Sequence, residues 1–385
     1  MCNFLQCMNG NDVDVALISY NEDSISDFRV TEGEYTTYMF PVFGGGNFLS
    51  YGLLSLAILK KYIQDSVDNI FFVSHSPCAD YLKAIKRLFP KSKRYFAIHD
   101  QGWTASLLGD NARFTRIMSS FSYGKEDRKI VDYVRRFSKE EKRMYRLAHR
   151  VICLCQNTKK LLIDVYGVKE AKIRLIPNGR IGCSLLTDIE KLEVRKRLGI
   201  STTDIILLYV GRMVEAKGVF ELLRAFEILW SQNHRLHLVM AGEVFNLNDF
   251  VKYTPNSASH VTYTGLLDKD RLSEWYEIAN VGILPSYTEQ CSYTAIEMML
   301  HRLPIITTNG NGLADMFRDG ENALVMQPCK DTLTESIVQC VTNMLGYNKP
   351  TLEKMVESAY VKACTDYSIE TMYNHYCGLF YDEYR

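Results

Sequence analysis

The sequence predicts an α/β protein with two doubly wound domains, each a parallel sheet covered by helices on both faces. Short apolar runs rich in Val and Ile recur along the chain, and each precedes a stretch with helical spacing of apolar residues. Strands that are apolar throughout are typical of parallel sheets buried on both faces. The length of 385 residues is enough for two hydrophobic cores.

Nine strands are predicted in chain order. They cover residues 13–19, 69–75, 94–100, 150–156, 204–211, 236–242, 261–265, 281–286 and 303–308. A polar stretch that contains Pro177, Asn178 and Gly179 separates the two series, and we therefore expect a first domain at 1–175 and a second at 176–365. The last segment has a helical stripe of apolar residues that could cover either domain. We expect it to cross back and complete the first domain as residues 366–385.

The overall charge argues against nucleic acid as a partner. Lys plus Arg and Asp plus Glu both number 45, so no global field favours nucleic acid, and we expect no nucleic-acid partner. Residues 81–150, however, contain 18 Lys or Arg against 7 Asp or Glu. The simpler interpretation is that these cations cover solvated helix faces. The alternative is a basic face for an anionic membrane or a phosphate-bearing acceptor.

Eleven cysteines, an odd number, occur without a C-x-x-C pair and without a histidine cluster. This pattern predicts reduced thiols in a cytoplasmic protein and no metal site. No apolar run approaches about 18 residues, and no signal peptide is recognisable at the N-terminus. We expect a cytoplasmic protein that is at most peripheral to the inner face of the membrane.

The first candidate site lies in LLYVGRMVEAKGVFELLRAFEIL. A strand ends at Gly211, a short loop carries Arg212 and Lys217, and a helix begins near Gly218. Two cations beside a helix N-terminus suit a diphosphate. The alternative is an ordinary strand-to-helix turn with solvated cations.

The second candidate site is PSYTEQCSYTAIEMM, residues 285–299. Positions eight apart differ by about 80° in a helix, so we place Glu289 on the loop and Glu297 in the first helical turn. Thr294 with Glu297 also has the form of a capping box, which is the structural alternative for Glu297. Both loops follow strands of one sheet, where open parallel sheets bind ligands. Cations and hydroxyl acceptors together suit a nucleotide with a diphosphate and a sugar.

These motifs also resemble a known family. The segment from Val210 to Phe226, AGE at 241–243, the two glutamates separated by seven residues, and LPIITTNGNGLADM resemble the second domain of family 4 retaining glycosyltransferases of the GT-B fold. Residues 152–179 and IHD at 98–100 extend the resemblance into the first half. EQCSY also resembles a subgroup found beside peptide-modification genes in Bacteroidales.

The resemblance implies a role for each matched residue. Arg212 and Lys217 would bind the donor diphosphate, and Glu297 would bind the ribose. Glu289 would contact the transferred sugar, and His99 would lie across the cleft near the leaving group. For His99 the alternative is a strand-end histidine bonded to the backbone. The remaining donor contacts implied are Gly211, Glu243, Gln290, Cys291, Ser292 and Tyr293.

The same resemblance implies two domains facing a central cleft and a reaction that retains anomeric configuration. No metal or cofactor is implied, and the donor would be a UDP- or GDP-linked sugar. The acceptor would be a glycan, a lipid-linked saccharide or a peptide. Two other functional classes stay open: a catalytically silent donor-binding partner of another transferase, and a sugar-nucleotide epimerase or phosphorylase.

Three departures from the family pattern matter. Gln290 and Ser292 replace glycines, and Arg180 replaces a small or apolar residue. Residues 1–19 look like the end of a helix and then the second strand, so the first strand of the sheet is expected to be missing. The glycines of segment 43–52 predict a turn and helix cap or, alternatively, an acceptor loop.

Overall fold

The computed structural model describes residue 8 and residues 13–22, 24–42, 48–74, 78–120, 126–244 and 246–381. The helix end predicted within residues 1–12 lies outside the described residues, apart from Met8. The glycines predicted to form a turn or an acceptor loop, at 43–47, also lie outside them. A helix begins directly after those glycines, at Phe48.

The first half of the chain forms two sheets where one was predicted. Strands β1 (Ala16–Glu22), β2 (Arg29–Thr31) and β3 (Thr36–Pro41) pair in the order β1-β3-β2, with β2 antiparallel to β3. Strands β4 (Ile70–Val73), β5 (Lys93–Ala97), β6 (Arg150–Cys153) and β7 (Ile173–Leu175) form a parallel sheet in chain order. The two sheets share no hydrogen-bonded strand pair among the described residues.

Three of these strands, β2, β3 and β7, lie outside the nine predicted ranges. All three residues of β2 are exposed, and β3 ends in a proline, so neither of these two has a buried apolar run. β1 also begins three residues later than predicted. The helices that the structure bounds in this half are α1 (Phe48–Leu59), α2 (Ala79–Leu88), α3 (Asn111–Ser119), α4 (Arg128–Leu147) and α5 (Gln156–Asp164).

The second half forms one six-stranded parallel sheet with the order β10-β9-β8-β11-β12-β13. Its strands are β8 (Ile205–Val210), β9 (Leu236–Ala241), β10 (Val261–Gly265), β11 (Val281–Leu284), β12 (Ile305–Thr308) and β13 (Leu324–Met326). Only β13, a three-residue strand, was not predicted. The strand order reverses between β8 and β11, which is the position where doubly wound sheets bind ligands.

Helices cover both faces of this sheet and leave its carboxyl edge open. They are α6 (Asp188–Arg197), α7 (Val219–Gln232), α8 (Asn248–Val251), α9 (Lys269–Ile278), α10 (Tyr293–Leu300), α11 (Leu313–Met316), α12 (Leu333–Gly346) and α13 (Lys349–Asp366). Two apolar clusters, one on each face, include Ile206 and Leu208 on one side and Leu207 and Tyr209 on the other. This alternation along β8 is what a strand buried on both faces requires.

The last helix, α14 (Ile369–Tyr381), crosses back to the first half as predicted. Met372, Tyr376 and Phe380 pack with Tyr95 and Ile152 of the four-stranded sheet. The chain passes between the two halves near Arg180 and again near Tyr367, and these two segments are hydrogen-bonded to each other. The Arg180 amide donates to Tyr367 O at 2.8 Å, and the Ile369 amide donates to Arg180 O at 2.9 Å. The domain boundary at residues 175 and 176 stays a proposal.

None of the helices in the described ranges is both long enough and apolar enough to cross a membrane.

Candidate active site

A cavity of about 330 Å³ lies between the carboxyl edges of the four-stranded and six-stranded sheets. Its lining residues are His99, Leu154, Asn178, Tyr209, Val210, Gly211, Arg212, Lys217, Ser286, Glu289, Gln290, Cys291, Ser292, Tyr293 and Thr294. The first three follow β5, β6 and β7, and the others come from the end of β8, the loops after β8 and β11, and the first turn of α10. The volume is within the range of small-molecule sites.

The loop after β8 supplies the two cations. Arg212 is exposed, and no ion pair involves it in the described part of the chain. Lys217 ends a short 3₁₀ turn directly before α7, and Gly218 caps that helix with φ of 68°. A Cβ on Gly218 would lie 2.1 Å from Pro285 O, so only glycine lets the start of α7 approach the loop after β11 this closely. The glycine therefore sets the distance between the two loops.

Glu289 lies opposite Lys217, on the loop after β11 as predicted. The Lys217 Nζ to Glu289 Oε1 distance is 2.6 Å, and Ser286 Oγ donates to the same oxygen at 3.0 Å. Both charged side chains are less than a fifth exposed. A diphosphate that enters the cavity would meet Arg212 directly and would compete with Glu289 for Lys217. Lys217 thus pairs with an internal anion, the Glu289 carboxylate, at the position where an anionic ligand would bind.

Gln290, which stands where the resembled family has a glycine, and its neighbour Cys291 bond to the other half of the molecule. The Gln290 amide oxygen accepts from Thr158 Oγ1 at 2.6 Å, and Cys291 O accepts from Asn178 Nδ2 at 2.7 Å. Gln290 is 7% exposed, so this bond forms away from bulk water. Burial raises the pKa of the Cys291 thiol to about 12, which keeps it neutral. The loop is therefore fixed by bonds between the halves.

The predicted capping box is wrong. Ser292, not Thr294, caps α10, because its backbone is extended and its hydroxyl accepts from the Ala295 amide at 3.3 Å. The helix begins at Tyr293, so Glu297 is its fifth residue and is not in the first turn. Sequence reasoning chose the wrong cap because both positions carry hydroxyl residues. Only the backbone angles distinguish them.

Two predicted residues lie outside the cavity lining. Glu297 forms an ion pair with Arg180 and accepts from Tyr276 OH at 2.9 Å, and its side chain is 14% exposed. Glu243 is exposed and follows β9 by two residues. Arg180 was noted as a departure from the family pattern, but its contact with Glu297 was not predicted. Asn178 and Ser286 were also missed, because Asn178 follows β7, which lies outside the nine predicted ranges, and Ser286 was placed at the end of the predicted strand 281–286.

His99 lies two residues beyond β5 and lines the cavity from the four-stranded side. Its side chain is accessible through the open cavity, but surrounding protein still lowers the pKa of the imidazole. The loop that carries it is held by α4. The Gly102 amide donates to Glu141 Oε1 at 2.8 Å, and Tyr133 OH donates to Gly102 O at 3.2 Å. His99 is therefore positioned by a buried network.

Glu141 is the centre of that network. It is 2% exposed and also accepts from Tyr166 OH. Burial raises its pKa to about 7, together with the charge of Asp100, although the bonds from Tyr166 and Gly102 partly offset this shift. A carboxyl group that titrates near neutrality thus supports the loop that carries His99.

The described residues contain no group of three or more His, Cys, Asp or Glu side chains that could hold a metal ion. The metal independence of the reaction stays a prediction.

Two family models match the chain. Residues 1–180 match the model described as Glycosyltransferase Family 4, and residues 190–362 match Glycosyl transferases group 1. An uncharacterized glycosyltransferase of Methanocaldococcus jannaschii is 23% identical over 252 residues, which are 61% of this chain and 63% of that protein. The matched region therefore spans less than two thirds of this relative. These comparisons do not address the Bacteroidales subgroup, which stays a prediction.

Solved structures have the same fold. Sucrose-phosphate synthase from Thermosynechococcus elongatus superposes with a TM-score of 0.72 at 17% identity and covers 99% of this chain and 92% of its own. Anabaena HepE in complex with UDP and glucose gives a TM-score of 0.66 at 14% identity, with coverages of 90% and 86%. The fold is therefore GT-B, as predicted.

Proposed function

The chain belongs to the group 1 glycosyl transferases, and from this membership we propose that it moves a sugar from a nucleotide-diphosphate sugar to an acceptor hydroxyl with retention. The observation that carries the proposal is the meeting of Arg212, Lys217, Glu289 and His99 in one cavity at the switch point of the six-stranded sheet. The site combines cations for a leaving diphosphate with a carboxylate for a sugar.

Arg212 and Lys217 neutralise the charge that develops on the departing diphosphate. Preorganised cations stabilise such charge at little reorganisation cost. Lys217 leaves Glu289 when the donor binds, which frees the carboxylate to contact the transferred sugar. The HepE complex with UDP and glucose supports a UDP-linked donor, and a GDP-linked donor is the alternative.

Glu289 and His99 act at the sugar from opposite sides of the cavity. Retention requires the acceptor to attack the face from which the diphosphate departs, through a transition state with oxocarbenium character. The Glu289 carboxylate stabilises positive charge at the anomeric centre. His99, with its lowered pKa, is a neutral hydrogen-bonding group beside the leaving group at neutral pH. Neither role requires a metal ion or a cofactor.

Glu297 binds the ribose with the lone pairs that Arg180 and Tyr276 leave free, since a carboxylate has about four acceptor positions. Because Ser292 is the helix cap, a capping role for Glu297 no longer competes with this proposal. The remaining proposed donor contacts are Gly211, Glu243, Gln290, Cys291, Ser292 and Tyr293. Of these, Glu243 must reach the ligand from outside the cavity lining.

We further propose a cytoplasmic location, supported by nine described cysteines that are all free. The acceptor is a glycan, a lipid-linked saccharide or a peptide. Peripheral contact with a membrane would use the basic residues of 81–150. The domain limits proposed are 1–175 with 366–385, and 176–365.

Incubation with UDP-, GDP- and other sugar nucleotides, with and without acceptor extract, tests the proposal. We expect nucleotide release that depends on acceptor and persists with a chelator, and a product whose anomeric configuration matches the donor. Tight donor binding without turnover under any acceptor would instead identify a catalytically silent partner.

Glu297→Gln separates donor binding from stability. We expect a higher KM for the donor, because the amide keeps the shape of the side chain but accepts hydroxyls less strongly, together with a lower melting temperature from the lost ion pair with Arg180. Unchanged KM with a lower melting temperature would assign Glu297 a structural role only.

A further inference from the structure

A second cavity, of about 460 Å³, lies at the opposite edge of the four-stranded sheet from the candidate active site. It is lined by Lys86, Arg94, Arg146, Leu147, Ala148, His149, Arg150, Lys169, Ala171 and Lys172. We call this the basic cavity. Six of its lining residues are Lys or Arg, and none is Asp or Glu. The sequence analysis noted the excess charge of 81–150 but did not identify this site.

The topology explains why the cations converge. Strands β5, β6 and β7 are parallel, so their amino ends meet at one edge. Arg94 is the second residue of β5, Arg150 is the first of β6, and Lys172 directly precedes β7. His99 lies five residues beyond Arg94, at the other edge, which corresponds to about 15 Å along an extended strand. The basic cavity is therefore separate from the donor site.

Part of this charge has a structural purpose. Arg94 Nε donates to Leu147 O at 3.1 Å, and Lys172 Nζ donates to Arg146 O at 3.1 Å, so two cations satisfy carbonyls at the end of α4. A helix C-terminus carries only about half a negative charge. It cannot balance six cations, and Lys86, Arg146 and Lys169 remain exposed around the cavity.

Five of the six cations have no carboxylate partner among the described residues. None of Lys86, Arg94, Arg146, Lys169 and Lys172 forms an ion pair with any residue that the structure describes. Arg94 is 5% exposed, and its Nη1 donates to Ser92 O at 3.1 Å. Burial and the charges of Arg94 and Arg150 lower the pKa of Lys172, which shows that like charges are crowded here. A bound anion would relieve this repulsion.

We propose that the basic cavity binds an anion with two or more phosphate charges, as a diphosphate or a phosphomonoester. Guanidinium groups pair with phosphate oxygens in two-point contacts, and lysines add point charges. The phosphate is carried either by a soluble ligand or by a lipid headgroup at a membrane surface. The site is distinct from the donor diphosphate site and needs no catalytic role.

The test begins with the full chain carrying Arg212→Ala and Lys217→Ala, which removes the donor phosphate site. Inorganic pyrophosphate is titrated by calorimetry into this protein. A basic variant adds Lys86→Ala, Arg146→Ala and Lys169→Ala. A matched control adds Lys139→Ala, Lys196→Ala and Lys354→Ala, which are exposed lysines without ion pairs. Both variants lose the same net charge.

We expect saturable binding in the starting protein and the control, and binding weakened by about tenfold or more in the basic variant, because charge-assisted contacts are lost. Lys86→Arg with Arg146→Lys and Lys169→Arg should keep binding and shows that the region still folds. Sedimentation with phosphatidylcholine vesicles, with and without phosphatidic acid, identifies the source. Vesicle binding lost only in the basic variant indicates a lipid headgroup, and pyrophosphate binding alone indicates a soluble ligand.

The proposal is overturned if neither pyrophosphate nor phosphatidic acid vesicles bind the starting protein. It is also overturned if the control loses as much binding as the basic variant, since that result reflects net charge alone. Loss of sugar transfer in the starting protein bears only on the proposed function, so the two proposals fail independently.

Discussion

On the six-stranded side of the active-site cavity, Arg212, Lys217 and Glu289 lie in loops that directly follow β8 and β11, and the charges partly pair with each other. On the four-stranded side, His99 lies in a loop whose Gly102 amide donates to a buried carboxyl group, Glu141, which also accepts from Tyr166 OH. In the proposed function the first side handles charge at the ligand, whereas on the second side the Glu141 network, which lies outside the cavity lining, holds the loop that carries His99. We therefore expect substitutions on the first side to affect rate, and those beneath the second to affect stability and pH response.

The largest expected effect is on the six-stranded side. Arg212→Ala and Lys217→Ala should each remove about 2 to 4 kcal/mol of transition-state stabilisation, measured as kcat/KM. Arg87→Ala and Lys196→Ala, on exposed cations away from the cavity, serve as controls and should retain full activity. Wild-type rates in both cavity variants would show that the diphosphate is bound elsewhere.

On the four-stranded side, the contribution of Glu141 to the free energy of unfolding should depend on pH. The folded pKa of Glu141, about 7, lies above its ordinary value of 4.5, so the folded state holds a proton that the unfolded state releases. Stability therefore falls as pH rises from about 4.5 to about 7, by at most about 3 kcal/mol. Glu141→Gln should remove this fall in urea unfolding, whereas the more accessible neighbour Glu140→Gln should preserve it. Parallel pH profiles for wild type and Glu141→Gln would contradict the buried network.

The hydrogen bond from Thr158 to Gln290, which joins the two sides, should make a smaller contribution to stability. Thr158→Val leaves the buried Gln290 oxygen without its hydroxyl donor and should cost about 1 to 3 kcal/mol in unfolding free energy. Thr158→Ser keeps the hydroxyl and should cost less. A double-mutant cycle with Gln290→Leu measures the coupling, and additive losses would show that the bond does not join the sides.

The smallest expected effect concerns the cap of α10. Ser292→Ala should lower stability by about 1 kcal/mol, because the Ala295 amide loses its acceptor. Thr294→Ala, two residues away, should cost less than about 0.5 kcal/mol. Equal losses in thermal unfolding would restore Thr294 as the cap.

The sequence predicted the strands of the six-stranded sheet well, because each is a buried apolar run between clear turn residues. Only β13, with three residues, escaped prediction. The sequence predicted the first half less well and missed β2 and β3, since an exposed three-residue strand such as β2 has no hydrophobic pattern. The sequence also predicted that Arg212, Lys217 and Glu289 lie in loops that meet, because parallel strands bring the loops after them to one edge of the sheet.

The sequence by itself determined the fold class and which loops of the six-stranded sheet meet at the cavity, since these depend on local patterns of apolar residues and turns. Its apolar stripe left open which half the last helix covers, and packing against Tyr95 and Ile152 decided that. Only the tertiary structure decided the partners of the charged groups: Lys217 with Glu289, Arg180 with Glu297, and Gln290 with Thr158. It also decided that cations from four separate segments surround the basic cavity. The reason is physical, because hydrogen bonds and ion pairs depend on distances of a few ångström between segments far apart in the chain.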